Sequence, residues 1–269
     1  MSAAAKVVIV TGGTFGIGRA ITLGLAGRGH NVVAFGLESP QASSIAQSAI
    51  PGLRQELERQ DLQADLLEAD VSLAADVERV VNFTLDRFGR IDGLVNNAAI
   101  GPLGTVLDTD EALFDRIIAV NLKGPYLTCR AVLPHMIRQG GGSIVNIGSG
   151  AGWGKPNMAV YCASKGGLVA LGAATAYDFL HHRVKINTVI PGGGGIVSGM
   201  SLGRAGGDRS KVGIGAPGTA AGRPATGDDI ANVVAFLLSP EAEAISGTVI
   251  DVGCFAHQGG PVPAKPASR

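Results

Sequence analysis

Short apolar runs alternate with longer segments of helical periodicity along most of the chain. Apolar runs too short for helices are typical of strands buried on both faces of a parallel sheet. The pattern predicts seven such strands, at residues 6–10, 31–36, 65–69, 92–96, 143–148, 184–190 and 247–251. Helical periodicity predicts helices at residues 16–28, 41–60, 73–88, 110–138, 159–180 and 227–238. This alternation predicts an α/β fold, with a parallel sheet covered by helices on both faces.

The chain length of 269 residues suits one α/β domain with a large core. We predict a single domain over residues 1–258, followed by a tail at 259–269 that is frayed or reaches a neighbouring subunit. Residues 192–227 hold 13 glycines in 36 positions, which predicts a mobile loop that cannot hold a rigid helix. Pro51 is expected to break or kink the second helix.

A glycine-rich turn lies between the first predicted strand and the first predicted helix. Its glycines are Gly12, Gly16 and Gly18, spaced as G-x-x-x-G-x-G. Glycines let a backbone approach a pyrophosphate closely, and the N-terminus of the following helix offers free N–H groups. The turn therefore indicates a dinucleotide site, although the motif by itself leaves a plain tight turn as an alternative.

Polar side chains also follow two later strands. Asn96 and Asn97 end the strand at 92–96 and are followed by small residues, so the carboxamides can tie adjacent strands together beside a ligand. Ser149 follows the strand at 143–148 and places a hydroxyl at its carboxyl end. Taken alone, these residues are equally typical of turns and caps.

Tyr161 and Lys165 are four residues apart, so on a helix they project from one face about one turn apart. A tyrosine hydroxyl, with a pKa near ~10, is a poor acid or base at neutral pH unless a nearby cation stabilises its phenolate. The pair therefore indicates proton transfer. A solvated helix face is the alternative for the pair on its own.

Taken in order, these segments resemble the compact form of the short-chain dehydrogenase/reductase family, which reads T-G-x-x-x-G-x-G, N-N-A-G, a catalytic Asn, Ser, Y-x-x-x-K and then P-G. The resemblance runs from Lys6 to Gly253. Asn121 stands where the family has its Asn, and Pro191 and Gly192 follow a strand as the family's P-G does. The resemblance implies a Rossmann-type doubly wound sheet of about seven strands and, in most members, a homotetramer joined through the helices at 110–138 and 159–180.

The resemblance also implies an activity: hydride transfer between a nicotinamide cofactor and a small alcohol or ketone. Tyr161 would be the acid/base, and Lys165 would lower its pKa and bind the nicotinamide ribose. Ser149 would bind the substrate oxygen, and Asn121 would hold a water linking Lys165 to solvent. The implied cofactor-binding residues are Gly12, Thr14, Phe15, Gly16, Ile17, Gly18, Glu38, Asp70, Val71, Asn97, Ala98, Tyr161, Lys165, Pro191, Gly192 and Ser198.

We expect the cofactor to be NAD rather than NADP. Glu38 lies twenty residues after Gly18, where a carboxylate can accept hydrogen bonds from the adenosine ribose and repel a 2′-phosphate. Arg19, Arg54 and Arg59 keep NADP open, because a phosphate needs only one or two well-placed guanidiniums.

The chain departs from the family pattern at several positions. Ser149 precedes Tyr161 by twelve residues where thirteen is usual, and Ser198 stands two positions later than the family's cofactor-binding hydroxyl. Gly36 and Leu37 stand where NAD-preferring and NADP-preferring relatives have Asp and Arg, respectively.

Two other functions stay open. A 3-oxoacyl thioester reductase needs basic residues at the pocket mouth to receive its carrier, and Arg204, Arg209 and Lys211 form only a thin patch. A catalytically idle dinucleotide-binding sensor or scaffold would keep the same fold. The complete catalytic set argues against that second alternative.

Composition and charge narrow the partners. The chain carries 22 basic and 22 acidic residues, so nothing favours nucleic acid or an anionic membrane, and the ligand should be a small molecule. No apolar stretch approaches ~20 residues, and the first strand begins too early for a signal peptide, so we expect a cytoplasmic protein. Cys129, Cys162 and Cys254 are irregularly spaced, which predicts buried thiols and no metal site.

Overall fold

The computed structural model describes residues 5–38, 49–192, 196, 198–212 and 219–253. These residues form a seven-stranded sheet in the order β3-β2-β1-β4-β5-β6-β7, and every neighbouring pair is parallel. The strands are β1 Val7–Thr11, β2 Asn31–Gly36, β3 Asp65–Glu68, β4 Gly93–Asn96, β5 Gly142–Ile147, β6 Val184–Pro191 and β7 Val249–Val252. The predicted α/β fold is confirmed.

Helices connect the strands and cover both faces of the sheet. They are α1 Gly16–Ala26, α2 Ala49–Arg59, α3 Ala74–Phe88, α4 Glu111–Ile118, α5 Gly124–Arg138, α6 Ala159–Asp178, α7 Gly199–Arg204 and α8 Gly227–Leu238. None of the helices within the described ranges is both long and apolar enough to cross a membrane.

The core consists of one apolar layer on each face of the sheet. Successive strand residues alternate between the layers, because strand side chains point to opposite faces: Val8 packs into one layer and Ile9 into the other. Helices α1 and α8 cover the first layer through Leu25 and Val234. Helices α3 and α5 cover the second, through Val80 and Met136 among others. Burial on both faces explains why β1 and β2 appear in the sequence as continuous apolar runs.

The helix predicted at 110–138 is interrupted in the structure. Helix α4 ends at Ile118, a π-helical turn spans Ala119–Lys123, and α5 begins at Gly124. The prediction of one continuous helix was therefore wrong. Pro125 at the start of α5 has no N–H to bond the Asn121 carbonyl, and the Asn121 side chain is buried in this turn and hydrogen-bonded to the backbone of Ile100.

Two other helix predictions need correction. The glycine-rich segment 192–227 holds a short helix, α7, despite its composition, because Ser198 and Ser201 form a capping box at its N-terminus. Pro51 lies in the first turn of α2, where its missing N–H costs no hydrogen bond, so it does not break the described part of the helix. Residues 41–48 of the predicted second helix, parts of the glycine-rich segment and the tail at 259–269 lie outside the described residues. The mobility of 192–227 stays a prediction.

Sheet order creates a crevice at the carboxyl ends of the strands. From β1 the chain proceeds to β2 and β3 on one side, and returns to β4 on the other side of β1. At such a reversal the flanking connections lead away from each other, and ligands of doubly wound sheets bind in the gap between them.

Candidate active site

The glycine turn after β1 packs tightly beneath the start of α1. Gly12 has a φ of +58°, and a Cβ atom there would lie 2.9 Å from the Ala98 Cα. A Cβ atom on Gly18 would lie 2.0 Å from the Gly12 carbonyl oxygen. Helix α1 begins at Gly16 with no side-chain cap and no acidic residue in its first turn. Its N–H groups are therefore available to an anionic ligand such as a pyrophosphate.

The ends of β1 and β4 are tied together by Asn97. Its Nδ2 donates to the carbonyl oxygens of Thr11 and Gly12, at 3.0 and 2.9 Å. The Thr11 hydroxyl accepts from the backbone N–H groups of Asn97 and Ala98. These bonds fix the loop after β4 against the glycine turn, as the two carboxamides at the strand end suggested.

A cavity of about 460 Å³ occupies the crevice. It extends from Leu37, which follows β2, to Ser149, which follows β5. Its size is within the range of small-molecule and cofactor sites. The predicted site residues that line it are Gly12, Thr14, Phe15, Gly16, Ile17, Asp70, Val71, Asn97, Ala98, Ser149, Tyr161, Lys165, Pro191, Gly192 and Ser198.

Three predicted site residues do not line the cavity. Gly18 lies behind the glycine turn, where it permits the close packing of α1 described above. The Glu38 carboxylate accepts a hydrogen bond from the Ile50 N–H at the start of α2, so its partner here is a helix end. Asn121 is buried in the π-helical turn. Their assignment to cofactor or water binding stays a prediction.

Asn121 is fully buried, and its side chain is hydrogen-bonded on all sides. Its Oδ1 accepts from the Ile100 N–H at 2.9 Å, and its Nδ2 donates to the Ile100 carbonyl at 2.8 Å and to the Ser164 hydroxyl at 3.0 Å. The π-helical turn is thereby joined both to the loop after β4 and to α6. Asn121 supports the helix that carries Tyr161.

Tyr161 lies in the first turn of α6 and is 6% exposed. Burial raises the pKa of its phenol, while a hydrogen bond from Ser149 and the positive charge of Arg204 act to lower it. Ser149 is held in turn as the cap of a short 3₁₀ turn at Gly150–Trp153, where its hydroxyl also accepts from the Ala151 N–H. The shortened connection between Ser149 and Tyr161 thus still brings the hydroxyl to the phenol.

Lys165 lies one helical turn after Tyr161 and is 2% exposed. Its Nζ donates to the Ile147 carbonyl at 2.9 Å and lies 6.0 Å from the centroid of the Tyr161 ring. Burial lowers the pKa of Lys165 to about 8. A buried lysine beside a cavity, held by one backbone carbonyl, retains donors for a ligand.

The cavity also contains residues outside the predicted catalytic and cofactor-binding sets, among them Arg204, which the sequence placed only in a thin basic patch. Arg116 forms an ion pair with Asp70 at 3.0 Å. Arg204, on α7, lies over the Tyr161 ring. No local motif marks either residue, because each is brought to the cavity by tertiary packing. The remaining unassigned residues in the lining are Phe35, Gly36, Leu37, Ala69, Ala99, Ile100, Val120, Ile147, Gly148, Gly150, Lys155, Ile196, Met200 and Ser201.

The predictions for the cysteines and for a metal site can be compared with the structure only for the described residues. Burial raises the pKa of the Cys129 thiol to about 12, and the side chain is fully packed, as expected. Cys162 is only partly buried, which corrects the expectation of a buried thiol, and its sulfur contacts the backbone of Lys155. Cys254 lies outside the described ranges. Across those ranges no three His, Cys, Asp or Glu side chains form a group that could hold a metal ion.

Known proteins resemble this chain in sequence and in fold. The family described as "short chain dehydrogenase" matches residues 6–201. The 2-(S)-hydroxypropyl-CoM dehydrogenase 3 of Xanthobacter autotrophicus is 37% identical, with 95% of this chain and 96% of that protein covered. The 3-oxoacyl-[acyl-carrier-protein] reductase FabG of Thermotoga maritima is 32% identical, over 92% of this chain and 96% of that protein. The crystal structure of levodione reductase superposes with a TM-score of 0.81 at 32% identity, over 92% and 96% of the two chains.

A glycine turn at the switch point of a parallel sheet, next to a buried tyrosine and lysine, defines a dinucleotide-dependent oxidoreductase. The chain belongs to the short-chain dehydrogenase/reductase family. It is therefore an NAD(P)-dependent enzyme that transfers hydride to or from a CH–OH group of a small molecule. The cavity fits such a cofactor. The uncapped N-terminus of α1 and the glycine turn, whose backbone a pyrophosphate can approach closely, both line it.

Proposed function

We propose that the protein interconverts a small secondary alcohol and its ketone, with Tyr161 as the acid/base. The observation that carries this proposal is the position of the Tyr161 phenol. It is buried in the same part of the cavity as Ser149, whose hydroxyl acts to lower the pKa of the phenol, and it lies one helical turn from Lys165. The family assigns these residue types to proton transfer.

In the oxidation, the substrate hydroxyl must lose its proton as hydride leaves the carbon. Tyr161 takes that proton, and Ser149 donates a hydrogen bond that keeps the substrate oxygen in reach of the phenol. A nicotinamide bound in the same cavity supplies the hydride acceptor. In the reduction, Tyr161 returns the proton to the ketone oxygen.

Lys165 and the glycine turn both contribute to cofactor binding, and Lys165 also affects the charge state of Tyr161. The free donors of the Lys165 ammonium would bind the nicotinamide ribose, and its charge favours the phenolate of Tyr161. The N–H groups at the start of α1 would hold the pyrophosphate, and the absence of a side chain at Gly12 would allow its close approach. Asn121 keeps α6 in place and, in the role that the family implies, holds a water beside Lys165.

A panel of neutral secondary alcohols and ketones tests the proposed reaction. We expect formation of reduced nicotinamide with at least one alcohol, measured by its fluorescence, and the reverse signal with the matching ketone. Acetoacetyl thioesters belong in the same panel. Inactivity with every alcohol and ketone, in the presence of both coenzymes, would contradict the proposal.

The thioester reductase stays the second candidate because FabG proteins are among the relatives. Besides Lys165, two cations, Lys155 and Arg204, line the part of the cavity that contains Tyr161. The expected basic patch is weakened, however, because Lys211 is engaged with Asp208 at 3.5 Å. Turnover of the thioester at least about tenfold more efficient than that of every simple ketone would favour this second function.

The coenzyme that we propose is NAD. The chain has no Lys or Arg between Arg28 and Arg54, the stretch that includes the end of β2 and the residues after it. Arg19, the nearest alternative, donates to the Gly52 carbonyl at 3.3 Å. Arg116 is paired with Asp70. Among these groups the Arg116 charge is already paired, and Glu38 would repel a 2′-phosphate on the adenosine ribose.

We expect kcat/KM to be higher with NAD than with NADP. Glu38→Gln should narrow that ratio, since it removes the negative charge but keeps an acceptor for the Ile50 N–H. Glu38→Ala removes both and provides the comparison. A preference for NADP would overturn the assignment, whereas an NAD preference equal in all three proteins would leave the coenzyme right and its stated cause wrong.

We also propose a cytoplasmic homotetramer, the assembly typical of the family. The helices expected to join the subunits carry exposed aromatic side chains: Phe114 on α4, Tyr126 on α5 and Tyr177 on α6. Exposed apolar area of this kind supports an interface between copies of the chain.

A further inference from the structure

Arg204, the last residue of α7, lies against the catalytic tyrosine. Its guanidinium carbon is 5.4 Å from the centroid of the Tyr161 ring. Its Nε and Nη2 both donate to the Gly101 carbonyl, at 3.1 and 2.7 Å. The side chain therefore bridges from α7 to the loop after β4 and covers one face of the phenol ring.

Position 101 has no room for a side chain beside this contact. A Cβ atom there would lie 2.8 Å from the Arg204 Nη2, 2.8 Å from the Met200 Sδ and 2.9 Å from the Tyr161 Cδ2. Two residues of α7, the loop after β4 and the catalytic tyrosine thus meet at one packed point. The bidentate bond to a backbone carbonyl gives the guanidinium one defined place rather than a loose surface position.

Few other charged or titratable groups face Tyr161 from the elements packed around it. On α6 itself, the Cys162 thiol raises the pKa of the phenol, and Lys165 points its ammonium at the Ile147 carbonyl. Lys155 lines the cavity from the connection before α6. Asp70 is the one carboxylate in the described lining, and it lies after β3 at the far end, paired with Arg116. The Arg204 charge therefore acts on the phenol without a nearby carboxylate to cancel it.

We propose that Arg204 is a positioning residue for proton transfer: it brings a second positive charge to Tyr161 when α7 is docked on the loop after β4. This inference rests on the proposed role of Tyr161. It makes the acid/base state of the tyrosine depend on where α7 lies, because displacement of α7 from Gly101 carries the guanidinium away from the ring. The Arg204 charge then acts on Tyr161 only while α7 is docked.

The direction of the effect follows from the charge. A cation near a phenol stabilises the phenolate, so removing the Arg204 charge raises the pKa of Tyr161. Oxidation needs the phenolate and should then require a higher pH, whereas reduction needs the phenol and should stay active to a higher pH. Undocking α7 alone would instead relieve the burial that raises the Tyr161 pKa, and burial is the larger of these influences. Loss of the Arg204 charge therefore raises the pKa of Tyr161, whereas displacement of α7 lowers it.

Two variants separate charge from attachment. Arg204→Gln removes the charge and keeps a donor for the Gly101 carbonyl, while Arg204→Lys keeps the charge and loses the planar fork. In Arg204→Gln, kcat/KM for oxidation of a neutral alcohol at pH 7 should fall by about tenfold and recover as the pH rises. Arg204→Lys should follow the wild-type pH profile. Arg79→Gln removes the same charge from the exposed surface of α3 and is the matched control.

Titration of the phenol itself needs neither substrate nor cofactor. The protein has three tyrosines, so the ultraviolet difference between wild type and Tyr161→Phe isolates the Tyr161 phenolate; rapid pH jumps read it before the protein unfolds. The midpoint should shift to higher pH in Arg204→Gln and stay in Arg204→Lys and Arg79→Gln. An unchanged or lower midpoint in Arg204→Gln, or an activity loss equal at every pH, overturns the proposal. Full activity in Tyr161→Phe would instead overturn the proposed function, whatever the titration gives.

Discussion

Replacing Tyr161 by Phe should lower turnover by at least about 10² and leave cofactor binding little changed. The substitution removes the only group that we assign to direct proton exchange with the substrate, and this type of catalysis contributes about 10² to 10⁴ in rate. The ring volume at this buried position is kept, so neither the Arg204 contact nor the packing against Met158 needs to change. Steady-state kinetics and fluorescence titration with the coenzyme measure the two quantities.

Tyr177→Phe is the matched control for this experiment. Tyr177 lies on the same helix, α6, but is 83% exposed and far from the cavity lining. The same loss of one hydroxyl there should change neither turnover nor cofactor binding, because the aromatic ring that the proposed subunit interface uses is kept. Retention of most activity in Tyr161→Phe would rule out the mechanism. An equal loss in both variants would point to a general effect on α6 rather than to proton transfer.

The sheet could be predicted because local sequence determines it. A strand buried on both faces needs consecutive apolar residues, and β1 and β2 each show such a run. The glycine turn was equally accessible, since the positive φ of Gly12 and the close approach at Gly18 leave no other residue type free of strain or clash. In both cases the physical constraint acts within a few residues of the chain.

Features that depend on distant partners could not be predicted in this way. The π-helical turn places Asn121 against Ile100 of a separate loop, a partner that the sequence of 110–138 does not show, although Gly124 and Pro125 do mark a break in its helical pattern. Glu38 has the spacing of a ribose ligand, yet its carboxylate binds the start of α2. Arg204 stands in a segment whose glycines predicted a loop, and only the docking of α7 places its charge on Tyr161.

Lys165→Met should damage the enzyme more than Tyr161→Phe, because Lys165 is assigned two roles. We expect a loss in turnover larger than about 10² together with a clear rise in the dissociation constant of the coenzyme. A change in turnover alone would show that the ribose role is wrong. Lys185→Met is the matched control: Lys185 also donates to backbone carbonyls, those of Ser239 and Ala242, and it lies at the opposite end of the sheet from the cavity.

Thermal stability provides a second readout for Lys165→Met, because burial lowers the pKa of Lys165 from 10.5 to about 8. Below pH 8 the folded protein keeps a buried charge, and the full cost of that burial opposes folding. Between pH 8 and 10.5 the folded state releases the proton while the unfolded state still holds it, so the stability of the wild type rises relative to the variant. The melting temperature of Lys165→Met minus that of the wild type should therefore decrease as pH rises through this window. A difference that stays constant with pH would show that Lys165 is not held as a buried charge, and its action on the phenolate would then need another source.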